Sequence, residues 1–162
     1  MEMKTTSLLF LLWIFSPMIV GSHSPPGDSM HWGGSSFKFD QMPLEDKLQE
    51  FEKALGAKVF KGNFSNPRGY VASWRIVGKA LLLEAIEGDL VNDKVTILDV
   101  LDEGSLPCKA VWYTGLLHLP IGEFDYETQR WPMVLKIRIF EGIVRETEIL
   151  HDVRDVVPFP EK

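Results

Sequence analysis

The sequence predicts an α+β fold: one N-terminal helix packed on a mostly antiparallel β-meander of about six to eight strands, barrel-like in its curvature. Two observations lead there. A single stretch, Pro43 to Leu55, carries apolar residues at helical spacing, and nearly everything after Trp74 alternates apolar with polar residues between turn formers.

In the helix, Leu44, Leu48, Phe51 and Leu55 recur at intervals of four, three and four, which lines one face. Pro43 suits the first helical position, Glu45 and Asp46 complement the N-terminal dipole, and Gly56 ends the element. Lys61 to Tyr70, KGNFSNPRGY, is dense in turn formers and reads as a loop. Two later segments share a pattern: LLLEAIEGDLVNDKVTIL from Leu81 and LKIRIFEGIVRETEIL from Leu135. Each is an alternating run, a Glu-Gly pair (Glu87-Gly88, Glu141-Gly142) and a second run. Leu135, Ile137 and Ile139 share one face, with Lys136 and Arg138 on the other, the period-two mark of a half-buried strand. Two similar β-hairpins follow from that pattern.

The N-terminus reads as a signal peptide over residues 1–22. Ser7 to Gly21 is a nearly unbroken apolar run, too short to span a bilayer comfortably. Val20 and Ser22 are small residues at the spacing a signal peptidase reads, with cleavage expected after Ser22 or, second, after Ser24. No Cys lies near the site, so a bacterial lipoprotein anchor is excluded. Residues 23–40, which include HSPPGDSMHWGGSS, read as a flexible leader rich in Pro, Gly and Ser. Residues 41–162 then form a single domain, and the roughly 140 residues left after cleavage suffice for an apolar core. His23 and His31 could chelate copper if His23 became the N-terminal residue. A segment with nothing rigid in it fixes no such geometry, so neither a metal nor a cofactor is expected.

The formal charge of −6, with no Lys/Arg cluster interleaved with aromatics, argues against a nucleic-acid partner. Lys58, Lys61 and Arg68 are scattered among turn residues and read as solvated surface. Cys108 is the single cysteine, so no disulfide framework exists and a buried, inert thiol is expected. Trp32, Trp74, Trp112 and Trp131 read chiefly as core residues rather than as the lining of a groove.

Chemistry, if present, concentrates between the two hairpins, in AVWYTGLLHLPIGEFD from Ala110 to Asp125. Read as a strand, it places Val111, Tyr113, Leu117 and Leu119 on one face, and Trp112, Thr114, Leu116 and His118 on the other. Pro120 to Gly122 is then a turn. Trp112-Tyr113-Thr114-Gly115, followed by Leu119-Pro120 and Gly122, resembles a pattern in small exported proteins of Gram-negative bacteria, a family without an assigned activity. The resemblance covers the C-terminal half and implies export but no reaction; DYETQRWP departs from the glycine-rich continuation of that pattern.

Trp112, Thr114, His118 and Glu123 are the candidate binding residues. No catalytic residue is assigned, because Gly-x-Ser-x-Gly is absent and His-x-x-x-His and Cys-x-x-Cys spacings are missing. The expected function is a secreted or periplasmic, non-enzymatic binding protein whose partner is an unknown protein or small molecule. It has no membrane span once the signal peptide is removed. The alternatives are an inhibitor or immunity-type protein and a Cys-His hydrolase using Cys108 with His118 or His151.

Overall fold

The computed structural model describes residues 27–92, 94–102 and 104–154. The expected signal peptide, its cleavage sites and His23 lie outside these residues. In chain order the elements are β1 (Asp28–Trp32), β2 (Ser35–Phe39), α1 (Glu45–Leu55), β3 (Tyr70–Val77) and β4 (Ala80–Gly88). They continue with α2 (Ile97–Leu101), β5 (Cys108–Lys109), β6 (Gly115–Ile121), β7 (Arg130–Phe140) and β8 (Ile143–Arg154). All eight strands join one sheet in the order β2-β1-β3-β4-β8-β7-β6, with β5 paired to β4 beside that path. Every pairing is antiparallel except β1 with β3, which is parallel.

Strand makes up 49 % and helix 13 %, so the fold is mostly β rather than α+β, and the sheet is open rather than barrel-like. The edge chemistry explains the openness. β2 and β6 end the sheet path and approach one another, yet no ladder joins them. On β6 the His118 N–H donates to the Gln41 side-chain oxygen (3.1 Å), and the Leu116 carbonyl accepts the Tyr113 hydroxyl (3.1 Å). Pro120 has no N–H to offer. Side chains and a proline therefore occupy the hydrogen-bonding positions a closing strand would need.

The leader expected over residues 23–40 contains a hairpin. β1 and β2 pair from Asp28↔Phe39 to Trp32↔Ser35 around Gly33 and Gly34, whose φ angles of 58° and 82° suit a tight two-residue turn. Met30 and Phe39 are buried, and Trp32 and Phe37 pack against the core. Asp28 interrupts this apolar face, and that is why the period was hidden. Its carboxylate is fully buried, accepting the Trp74 indole N–H at 2.9 Å on Oδ2. Its Oδ1 accepts the Ala72 N–H at 3.2 Å and Arg68 Nη1 at 3.1 Å. Burial pushes the Asp28 carboxyl above its ordinary range, against the opposing pull of Trp74, Ala72 and Arg68. Arg68 is thus not solvated surface: its side chain is 15 % exposed, paired with Asp28 and stacked over the Tyr70 ring. The Tyr70 hydroxyl donates to Glu45, tying β3 to α1.

α1 begins at Glu45, so Pro43 precedes the helix instead of opening it, and Leu44 caps it without a side-chain hydrogen bond. Leu44 and Leu48 are buried and Phe51 packs on the core, but Leu55 is exposed. Gly56 ends the helix in the left-handed region, its N–H donating to the Glu52 carbonyl.

Of the two expected hairpins, the later one forms. Glu141 and Gly142, with φ of 49° and 70°, turn β7 into β8. The earlier one does not form, because β4 runs through Glu87 to Gly88 and the second run forms no strand, only its last residues, Ile97 and Leu98, entering α2. Thr96 and Asp99 drive that helix with a reciprocal capping box. Gly88 is required by close packing rather than by a turn, since a Cβ there would lie 2.4 Å from the Gly69 carbonyl oxygen. Ala110 to Thr114 is also not strand. The Tyr113 N–H closes a turn on the Ala110 carbonyl, and β6 starts only at Gly115.

Candidate functional site

The residues singled out from the sequence do not converge on a cleft. The Trp112 indole N–H donates to the Pro43 carbonyl (3.0 Å), fixing the approach to α1. Thr114 Oγ1 accepts the Glu141 N–H (3.0 Å), holding the β7–β8 turn. His118 holds Gln41 through its backbone, and Glu123 is exposed. Cys108 is buried on β5 against Leu83 of β4, while His118 and His151 sit on β6 and β8.

His118 Nδ1 is itself buried without a hydrogen-bond partner. Burial first, and Lys136 opposite it on β7 second, lower its pKa below the ordinary imidazole value. A lowered pKa means that the unfolded chain takes up this proton before the folded one does. The associated stability is present above the ordinary imidazole value and is lost as pH falls toward the lowered folded value. Wild-type protein is therefore expected to lose more melting temperature than His118→Gln between about pH 7.5 and about pH 5.5. Equal losses in the two proteins would show that His118 carries no such linkage.

The chemistry gathers instead at the tip of the β1–β2 hairpin. The β1–β3 ladder stops at His31↔Arg75, whereas the hairpin continues through Trp32 to Gly33 and Gly34. The tip therefore stands away from β3 on one side, and β2 is unladdered to β6 on the other. On the β3 side lies a cleft of about 390 Å³ whose lining includes His31, Trp32, Ser35, Ser36, Arg75 and Ile76. On the β6 side a second cleft, of about 430 Å³, runs between Phe37, Lys38, Pro120 and Trp131 and shares Ser35 and Ser36 with the first.

Strand geometry positions the polar groups of the first cleft. Ser36 sits opposite His31 across the hairpin, and Arg75 is the parallel partner of His31, so the three form a row on the outward face of the sheet. Glu84 of β4 holds two of them at once. Its Oε2 meets His31 Nδ1 at 2.9 Å and its Oε1 meets an Arg75 guanidinium nitrogen at 2.5 Å. A carboxylate on Nδ1 assigns the proton of the neutral ring to that nitrogen and leaves Nε2 pointing away from Glu84. Glu84 is 19 % exposed while His31 and Arg75 are 47 % and 53 % exposed, so a sheltered anchor orients two accessible groups. Trp32 and Ile76, next along their strands, belong instead to the inward-facing series that includes Met30 and Trp74, and they line the cleft where the β1–β3 ladder ends.

Sequence reasoning missed this site because His31 lies in a Gly/Ser-rich segment and its partners are 44 and 53 positions away. The available signal was the alternation of Met30 with Trp32 and of Phe37 with Phe39 on either side of Gly33-Gly34. Among the described residues, no group of three or more His, Cys, Asp or Glu is placed to hold a metal ion. No family model matches the chain, and neither a curated protein nor a solved structure matches it.

Proposed function

We propose that the protein is an exported, non-enzymatic binding protein that holds a small molecule in the cleft between the β1–β2 hairpin tip and β3. The observation that carries this reading is the Glu84 clamp: one carboxylate fixes two accessible hydrogen-bonding side chains, His31 and Arg75, in the lining of the cleft. The cleft's volume of about 390 Å³ is within the range of clefts that hold small ligands. Export rests on the apolar run and small residues of positions 1–22. Among the described residues, no helix is long and apolar enough to cross a membrane.

The uncharged fluorophore N-phenylnaphthylamine tests the reading. It should brighten saturably on titration with the protein, and Ser35→Trp should weaken that binding at least about tenfold by filling the cleft from an exposed strand position. An aromatic residue suits a strand, so this variant should keep the wild-type circular dichroism and melting profile. Undiminished binding to a folded Ser35→Trp protein would refute the site.

A further inference from the structure

We infer that the ligand presents to this cleft an uncharged group that donates and accepts hydrogen bonds together, as a carboxamide or a hydroxyl does. The inference rests on the binding reading above and names the ligand class of the same cleft. It follows from what His31 and Arg75 each still offer once Glu84 has taken its share.

Glu84 accepts the Nδ1–H of the neutral His31 ring, so Nε2 keeps its lone pair and can only accept. Among the described residues Nε2 has no partner. Arg75 is the reverse case. Glu84 takes one nitrogen of its guanidinium, and the remaining N–H groups can only donate. An acceptor and a set of donors are therefore clamped side by side on the two oxygens of one carboxylate. A carboxylate ligand would satisfy Arg75 and leave Nε2 without a donor. An ammonium would satisfy Nε2 and leave Arg75 without an acceptor. A carboxamide or a hydroxyl serves both at once.

Charge points the same way. Glu84 balances Arg75, and Lys38 lines the second cleft rather than this one. With the His31 ring neutral, the lining of the first cleft thus holds no net charge to repay an ionic ligand for the water it gives up. Ser35 and Ser36 add two hydroxyls to that lining, with Ser36 directly opposite His31 across the hairpin. They too both donate and accept, so they complement a neutral polar group in either sense.

The test is displacement of N-phenylnaphthylamine at about pH 8, where imidazole side chains are neutral as a rule. The competitors are naphthaleneacetamide, naphthaleneethanol and methyl naphthaleneacetate, which share one ring system and carry no charge. All three have an acceptor oxygen, but the ester has no donor. The amide, the alcohol or both should displace the fluorophore at roughly tenfold lower concentration than the ester, and whichever gains identifies the group. His31→Phe should bring the competitors together at the level of the ester, because it removes the acceptor they divide on. Arg75→Met should weaken all three alike, because each offers Arg75 an oxygen. His31 and Arg75 are about half exposed in their pairs with Glu84, and such pairs add little to stability, so both variants should fold. Equal displacement by amide, alcohol and ester, with the fluorophore still bound, would overturn the inference and leave the binding site standing. Failure of the fluorophore to bind at all would overturn both.

Discussion

Asp28→Asn should destabilise the protein by about 3–5 kcal/mol, the scale expected when one partner of a buried ion pair is removed. Asp28 is fully buried and gathers three donors: the Trp74 indole, the Ala72 amide and the Arg68 guanidinium. Asparagine keeps the shape but has a single acceptor oxygen. If that oxygen faces Ala72 and Arg68, its NH₂ group meets the Trp74 N–H, donor against donor. The Arg68 guanidinium, largely withdrawn from water, also loses the charged oxygen it meets at 3.1 Å. Urea unfolding of Asp28→Asn beside Trp74→Phe and the double variant would measure the coupling directly. A loss below about 1 kcal/mol would mean that the hairpin adds little to the core, contrary to the burial of Met30 and Phe39 beside it.

Gly142→Val should cost about 2–4 kcal/mol, combining a left-handed backbone with overpacking. Gly142 has φ of 70°, and a Cβ there would lie 2.6 Å from the Ala110 carbonyl oxygen and 2.8 Å from its carbon. Those are backbone atoms and cannot rotate away. The same residue donates its N–H to the Tyr113 carbonyl and accepts the Leu81 N–H on its own, so a shift would strain the turn before β6 and the start of β4 together. Gly78→Val is the matched control: φ is 60° but nothing lies within 4 Å of a Cβ. It should show only the conformational part, about 1–2 kcal/mol. Similar losses at the two positions would show that the close approach at Ala110 contributes nothing.

These two residues also show what the sequence discloses and what it hides. The Glu141-Gly142 turn was legible because it lies between long alternating runs, and its requirement is local. Glu87-Gly88 has the same letters, yet β4 passes straight through it, because the second run ends in a helix with its own capping box and Gly88 is needed for packing against Gly69 and Phe60. Such a requirement is long-range and leaves no local mark. The apolar stripe discloses α1, but it starts the helix two residues early, at Pro43, and does not show the exposure of Leu55. The β1–β2 hairpin was missed because Asp28 occupies a core position, and a charge reads as surface until Trp74 and Arg68 are seen to surround it. The hairpin-tip cleft was hidden for the same reason: His31, Arg75 and Glu84 meet only through the parallel β1–β3 pairing and the β3–β4 hairpin. Trp112, Thr114 and His118 drew attention by their chemistry, but their hydrogen bonds hold the scaffold together.

The most direct measurement is a map of backbone amide shifts in isotope-labelled protein as N-phenylnaphthylamine is added. Binding at the hairpin tip predicts the largest changes at Trp32, Ser35, Ser36, Arg75 and Ile76, with Thr114, His118 and Glu123 unmoved. Changes confined to residues 112–123, with the hairpin tip silent, would contradict it.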